Sequence, residues 1–158
     1  MVQAKTNAMR ILDKAKIEYG FFTYENKDGK IDGVSVADKI GKPREMVFKT
    51  LVTIGKGSSI HVFVIPVEAE LDLKKAAKAA AEKNLDMLPV KDIQKWTGYI
   101  RGGCSPVGMK KNYPTYIDSS AESLEKIIVS GGKIGVQLEL GVGELMTATR
   151  GSLVDLTK

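Results

Sequence analysis

The sequence is short of the residues from which several common sites are built. Its 158 residues include one cysteine, Cys104, and one histidine, His61. A single cysteine excludes an internal disulfide and fits a reducing compartment, and a zinc site needs three or four good ligands, so we expect no metal. No apolar run approaches the roughly 18 residues of a membrane span. Met1–Asp13 has no apolar stretch followed by a cleavage site. We therefore expect no signal peptide, no membrane contact and a cytoplasmic location.

Two familiar catalytic motifs are also missing. The chain has neither the GxxxxGK[ST] pattern of a P-loop nor the GxSxG pattern of a nucleophile elbow, and we expect no cofactor. The net charge of +5 favours a polyanionic partner. The cations are nevertheless dispersed, and Lys74, Lys75 and Lys78 have the spacing of the solvent face of a helix.

The length predicts one domain over residues 1–158. Residues 6–17, 71–84 and 90–97 have helical spacing, whereas 47–54 and 59–67 are β-rich runs joined by a glycine turn, which predicts a hairpin. Ser35 and Asp38 have capping-box spacing, and the short helix they start should end at Gly41. Later strands are predicted over 114–118, 127–130 and 134–140. Hairpins mixed with helical connections indicate an α+β (mixed α/β) fold.

The run from Arg101 to Lys110 is the most informative stretch. It holds three glycines, one proline and the single cysteine. Glycine permits steep turns and close backbone approach, so such a loop can direct several amide N–H groups at one oxygen that carries negative charge. A plain surface loop is the alternative.

Lys49 is the second notable residue. Alternation along the predicted strand gives it a mostly apolar face, and an unpaired buried ammonium is costly. The lysine either reaches solvent at the sheet edge or lines a pocket, where it would hold a carbonyl oxygen or a phosphate. A Cys104–His61 nucleophile pair is conceivable, but His61 alternates with buried strand residues and no base lies near Cys104 in the sequence.

Four motifs follow one another along the chain: Phe48–Leu51, Leu71–Lys75, Gly98–Lys111 with its Gly-Gly-Cys-Ser-Pro core, and Val129–Lys133. In this order they resemble the YbaK/EbsC family of free-standing aminoacyl-tRNA deacylases. The domain is similar to the editing insertion of bacterial prolyl-tRNA synthetases, and the resemblance covers about residues 5–145. It implies a largely closed mixed β-sheet surrounded by helices, with a cleft on one side.

The resemblance also implies the site. Lys49 and the main chain of Gly102, Gly103 and Cys104 would be catalytic. The substrate-binding residues would be Tyr24, Thr50, Ser105, Pro106, Ser130 and Gly131. Family members often carry an aromatic residue where this chain has Asp32, and an aspartate where it has Gln137. Our candidates for tRNA phosphate contact are the cations Lys42, Arg44, Lys110, Lys111 and Lys133.

The implied activity is release of cysteine from mischarged Cys-tRNA(Pro). The partners would be the acceptor end of aminoacyl-tRNA and prolyl-tRNA synthetase. A cysteinyl ester can be attacked by its own thiol and leave as a cyclic thiolactone, so we expect the Cys104 thiol to be dispensable. The alternatives are a water-mediated deacylase for another residue such as alanine, and a non-catalytic aminoacyl- or nucleotide-binding regulatory module.

Overall fold

Short helices and strands alternate along the chain in the computed structural model, which describes residues 5–158. The helices are α1 (Asn7–Lys14), α2 (Gly33–Ile40), α3 (Leu73–Ala79), α4 (Ile93–Thr97) and α5 (Val142–Thr149). The strands are β1 (Gly20–Thr23), β2 (Phe48–Ile54), β3 (Ile60–Pro66), β4 (Asp86–Met87), β5 (Thr115–Asp118), β6 (Lys126–Ser130), β7 (Val136–Gly141) and β8 (Ser152–Val154). The predicted α+β class is confirmed.

These strands form two sheets. The larger has the order β4-β2-β3-β5-β8, and the smaller has the order β1-β7-β6. The predicted hairpin is confirmed as the antiparallel β2–β3 pair, in which Lys49 lies opposite Ile65. The sheets meet through one isolated parallel bridge between Val47 and Ile128. The prediction of one largely closed sheet was wrong, because β6 pairs along its length with β7, and its bridge toward the larger sheet joins Ile128 to Val47, the residue before β2.

Side-chain caps set where the helices begin. The Thr6 hydroxyl accepts from the Met9 amide at 3.2 Å, and the Asp72 carboxylate caps α3. Asp32, rather than Ser35, caps α2, because its carboxylate accepts both the amide and the hydroxyl of Ser35, at 3.1 and 2.7 Å. The predicted stop is confirmed at Gly41, whose φ of 68° is the left-handed conformation that glycine adopts at low cost.

The core lies on both faces of the hairpin. Phe48 and Val64 face a cluster shared with α1 and the smaller sheet, while Phe63 and Ile65 face a second cluster under α3. Six of the seven β3 residues are buried, and β3 lies inside the larger sheet between β2 and β5. Over residues 5–158 no helix has the length and apolar character needed to cross a membrane.

Candidate active site

A cavity of about 640 Å³ lies where the loop before α2, strand β2 and residues 101–110 (the glycine loop) meet. Its walls are the start of α2 with the preceding loop, the first half of β2, part of the glycine loop, the end of β6 and the facing residue of β7. The residues that line the cavity include Gly29, Ile31, Asp32, Gly33, Lys49, Thr50, Arg101, Gly102, Cys104, Ser130 and Gln137.

The cavity follows an unpaired stretch of β2. On one side β2 pairs with β3 along its whole length. On the other it pairs with β4 only at Thr53 and Ile54 and bridges to β6 only at Val47. Residues 49–51 therefore have no strand neighbour on that side within residues 5–158. This gap between the two sheets gives a ligand access to the side chains of β2.

Lys49 projects from this gap as a partly buried cation. Burial lowers the pKa of its ammonium, and the more distant negative charge of Glu70 opposes that shift. No carboxylate of residues 5–158 lies within ion-pair distance of it. A cation held without a partner beside a cavity is a functional-site candidate, because an anionic or carbonyl ligand would compensate its desolvation.

Three neutral polar groups share the cavity wall with Lys49. The hydroxyls of Thr50 and Ser130 are buried and have no hydrogen-bond partner among residues 5–158. Gln137, directly opposite Ser130 in the β6–β7 pair, is only 5% exposed. Buried polar groups are normally satisfied, so unpartnered hydroxyls beside a cavity indicate a polar ligand. Tyr24 also has a buried, unpartnered hydroxyl, but it does not line the cavity.

The glycine loop is held in place by its own hydrogen bonds. The Gly103 amide donates to the Ile100 carbonyl at 3.0 Å. The Val107 amide donates to the Ser105 hydroxyl at 3.2 Å, and the Tyr99 hydroxyl to the Val107 carbonyl at 2.7 Å. The Gly103 amide therefore has an acceptor within the loop itself, and its place among the donors to a ligand stays a prediction. The Gly102 and Cys104 amides have no acceptor within residues 5–158.

Close packing explains the two adjacent glycines. Gly102 has a φ of 87°, and a Cβ there would lie 2.7 Å from Ile31 Cδ1. A Cβ on Gly103 would lie 2.9 Å from the main-chain nitrogen of Ile134. The loop therefore packs against the chain after β6 with no room for a side chain, and its main chain reaches the cavity wall.

The two candidate nucleophilic partners lie apart. Burial raises the pKa of the Cys104 thiol to about 11, and the thiol lies 4.0 Å from the Thr97 hydroxyl. The His61 ring lies 2.9 Å from a Glu82 oxygen and does not line the cavity. The Cys104 thiol is therefore neutral near pH 7 and has no base beside it. Residues 5–158 contain no group of three or more His, Cys, Asp or Glu side chains placed to hold a metal.

The structure brings together only part of the predicted site. Lys49, Thr50, Gly102, Cys104 and Ser130 line the cavity. The others do not line it: Tyr24, Gly103, Ser105, Pro106 and Gly131. Ser105 and Pro106 are buried inside the loop, and the Gly131 amide continues the turn after β6 by donating to the Val136 carbonyl at 2.9 Å.

The predicted phosphate-contact cations lie outside the cavity and differ in how they are engaged. Lys42 lies 3.7 Å from Glu139, and Arg44 pairs with Asp38 and Glu68 at 2.8 and 3.5 Å. The Lys110 ammonium donates to the Lys95 carbonyl at 3.1 Å. The remaining two, Lys111 and Lys133, are exposed and have no ion-pair partner in the described part of the chain.

Sequence reasoning missed several lining residues. Arg101 was noted only as a flanking cation, and Asp32 and Gln137 only as departures from a family pattern. Gly29 and Ile31 lie in a polar, glycine-containing stretch that the sequence predicts only as a loop. The signal for this wall was the helix cap at Asp32, because a cap places the preceding loop beside the start of the helix. A more open cavity of about 1280 Å³ lies between α1 and β1, and no residue of the predicted catalytic set lines it.

Comparison with known proteins bears on the family of this chain. A family model described as "Aminoacyl-tRNA editing domain" matches residues 32–148. The protein named "Putative Cys-tRNA(Pro)/Cys-tRNA(Cys) deacylase EbsC" from Enterococcus faecalis strain V583 is 44% identical over 155 residues, which cover 98% of this chain and 94% of that protein. "Uncharacterized protein YwhH" from Bacillus subtilis strain 168 is 27% identical over 69% of each chain.

A solved structure shares the fold. The "Crystal structure of a putative trans-editing enzyme for prolyl tRNA synthetase" aligns with a TM-score of 0.83 at 20% identity and covers 99% of both chains. The YbaK/EbsC resemblance drawn from the sequence motifs is thus confirmed by the model match and by the identity to EbsC. The chain belongs to the aminoacyl-tRNA editing domain family.

Proposed function

We propose that this editing protein deacylates Cys-tRNA(Pro), with the thiol of the substrate as nucleophile. The observation that carries the proposal is a cavity that, within residues 5–158, holds an unpaired lysine and unpartnered hydroxyls but no activated nucleophile. The name of the 44% identical relative supports cysteine as the amino acid.

The reaction balances without a protein nucleophile. The thiolate of the cysteinyl group attacks its own ester carbonyl, and a C–S bond forms. The tetrahedral intermediate collapses with cleavage of the bond between the carbonyl carbon and the ribose oxygen. That oxygen takes up the proton released by the thiol, which yields free tRNA and a thiolactone. Water then opens the thiolactone to cysteine. The Cys104 thiol, neutral with a pKa of about 11, takes no part.

The chain's own groups would stabilise charge and position the ester. Negative charge develops on the carbonyl oxygen, and the Gly102 and Cys104 amides, which have no acceptor in residues 5–158, are the candidate donors. Loss of one such donor costs about 3 kcal/mol in comparable sites. Lys49 would bind the ester or the terminal phosphate, and Thr50 and Ser130 would hydrogen-bond to the aminoacyl group.

Two substrate comparisons test the thiol. We expect turnover of Cys-tRNA(Pro) and little turnover of Ser-tRNA(Pro) or Ala-tRNA(Pro), because neither amino acid carries an acidic nucleophile. S-methylcysteinyl-tRNA(Pro), which keeps the sulfur but loses its proton, should resist. Equal cleavage of all four esters would show that a bound water, and not the substrate thiol, is the nucleophile.

Lys49→Met tests the cation at nearly constant side-chain length. We expect kcat/KM for Cys-tRNA(Pro) to fall at least about a hundredfold, in line with the loss of an electrostatic catalytic contact. Lys56→Met is the control for charge, because Lys56 is exposed in the hairpin turn and away from the cavity. Retention of activity in Lys49→Met would remove this residue from the mechanism.

Saturable binding of the aminoacyl end with no turnover by the wild type would favour a regulatory module.

The tRNA would be held by exposed cations around the cavity, with specificity supplied in part by prolyl-tRNA synthetase. Lys111 and Lys133 are the first candidates because they are unpaired in the described chain, whereas Lys42, Arg44 and Lys110 would have to exchange their present partners. Phosphate contacts release counterions. Raising salt from about 50 to about 200 mM should therefore weaken tRNA binding severalfold or more, and a flat response would exclude backbone contact. Co-purification with added synthetase tests the partner.

A further inference from the structure

We propose that Lys39 is a positioning residue, whose ammonium holds residues 25–31 (the 25–31 loop) in place as one wall of the cavity. Lys39 lies in the last turn of α2, and the loop lies before the first turn of the same helix. The lysine therefore ties the loop to the far end of the helix that the loop leads into.

Three hydrogen bonds make this tie. The Lys39 ammonium donates to the Glu25 carbonyl at 2.7 Å, to an Asp28 carboxylate oxygen at 2.8 Å and to the Lys30 carbonyl at 3.0 Å. An ammonium has three donors, so its full capacity is used within one loop. The same nitrogen lies 5.8 Å from the centre of the Tyr24 ring, within the range of a cation–π contact.

This arrangement differs from an ordinary surface ion pair. The Lys39 side chain is only 21% exposed, and two of its three acceptors are main-chain carbonyls. An exposed pair contributes little because solvent competes for both charges. Here the ammonium satisfies carbonyl groups that have no ladder partner, as a helix cap or a turn would. The pKa of Asp28 is accordingly lowered, chiefly by its hydrogen bond with Lys39.

The main-chain hydrogen bonds within the loop are local. They run from the Gly29 amide to the Asn26 carbonyl and from the Ile31 amide to the Gly29 carbonyl, at 3.0 and 3.1 Å. The Lys30 amide donates to the Asp28 carboxylate, which is also held by Lys39. Release of the ammonium would therefore free both the loop carbonyls and the carboxylate that shapes the turn.

The position of the loop sets one dimension of the cavity. Gly29 and Ile31 line it, and the Ile31 Cδ1 atom is so near Gly102 that a Cβ there would lie 2.7 Å away. The distance from the loop to the glycine loop thus depends on where Lys39 holds residues 25–31. The consequence for catalysis rests on the proposed function, whereas the tie itself does not.

The test compares Lys39→Met, Lys39→Arg and a control, Lys30→Met. The control removes one positive charge from the loop that Lys39 holds, but only the main-chain carbonyl of Lys30 takes part in the tie. Amide hydrogen exchange of residues 29–31, the urea midpoint, and kcat and KM for Cys-tRNA(Pro) are measured on the full chain.

We expect Lys39→Met to speed exchange of these amides about ten- to a hundredfold, the factor that loss of one charge-assisted hydrogen bond predicts. KM should rise about tenfold with kcat changed less than about twofold, because the loop shapes binding and contacts no reacting atom. Lys39→Arg should recover part of both effects, and Lys30→Met should match the wild type.

Exchange in Lys39→Met equal to that in Lys30→Met would overturn the proposal. So would faster exchange along the whole chain with a lowered urea midpoint, since that pattern indicates a general contribution to stability. Unchanged KM despite a mobile loop would also overturn it. If the wild type deacylates nothing, the proposed function fails, and the exchange data still decide whether Lys39 holds the loop.

Discussion

Replacing Thr50 with valine should make the protein more stable and less active. The Thr50 hydroxyl oxygen is buried and unpartnered, and an unsatisfied buried hydroxyl costs about 1–3 kcal/mol. Valine has the same shape, lacks the polar atom and suits a strand. We therefore expect Thr50→Val to raise the free energy of unfolding by about 1 kcal/mol, which for a chain of this size raises Tm by roughly 2–4 °C.

Activity should change in the opposite direction. If the Thr50 hydroxyl hydrogen-bonds to the aminoacyl group, its removal should lower kcat/KM about tenfold, which corresponds to about 1.4 kcal/mol of lost transition-state binding. Thermal melts and urea titrations measure the change in stability, and deacylation of Cys-tRNA(Pro) measures the change in kcat/KM. A gain in stability with a loss of activity is the pattern expected of a group kept unsatisfied for its ligand.

Thr53→Val is the matched control on the same strand. Thr53 is fully buried, and its hydroxyl donates to the His61 carbonyl at 3.0 Å. The same chemical change there should lower stability by about 1 kcal/mol and leave kcat/KM near the wild-type value. The Thr50 hydroxyl is not a group kept for a ligand if Thr50→Val melts below the wild type, as Thr53→Val should, or if Thr50→Val deacylates at the full rate.

Three further predictions follow from the site. Cys104→Ser should keep most of the activity, since burial already holds the thiol neutral with a pKa of about 11; loss of turnover with tRNA binding intact would implicate the thiol. Gly103→Ala should lower stability by about 1–3 kcal/mol and lower activity, because its Cβ would lie 2.9 Å from a main-chain nitrogen, whereas Gly143→Ala, with open space around it, should be tolerated. In a pH–rate profile, activity should rise as the substrate thiol ionises and fall at alkaline pH as Lys49 loses its proton. That fall should come at a lower pH than for an ordinary lysine, because burial lowers the pKa of Lys49. If Lys49→Arg is active, its alkaline fall should move to higher pH, and an unmoved fall would exclude Lys49 as its source.

Sequence patterns succeeded where a signal was local. The β2–β3 hairpin was predicted because both strands and the glycine turn between them are contiguous in the chain. The stop at Gly41 was predicted from one residue with a conformational preference. The start of α2 was misplaced to Ser35, because Ser35 and Asp38 also satisfy a capping pattern and only the folded chain shows that Asp32 makes the bonds.

The site was predicted less completely, because a cavity is a product of packing. Lys49 and Gly102 are more than fifty residues apart in the chain, and motif order alone suggested that they cooperate. The engaged Gly103 amide, the buried positions of Ser105 and Pro106 and the wall built by Ile31 depend on contacts between distant segments. No periodicity in the sequence encodes them.

By itself the sequence determined the elements, the glycine loop and the family, since these depend on residue type, spacing and the order of motifs. Only the tertiary structure decided that the two sheets stay unclosed, that the unpaired edge of β2 opens onto a cavity and that Thr50 and Ser130 lie there without partners. The reason is physical: propensity and patterning act over a few residues, whereas the satisfaction of a buried polar group depends on every segment that packs around it.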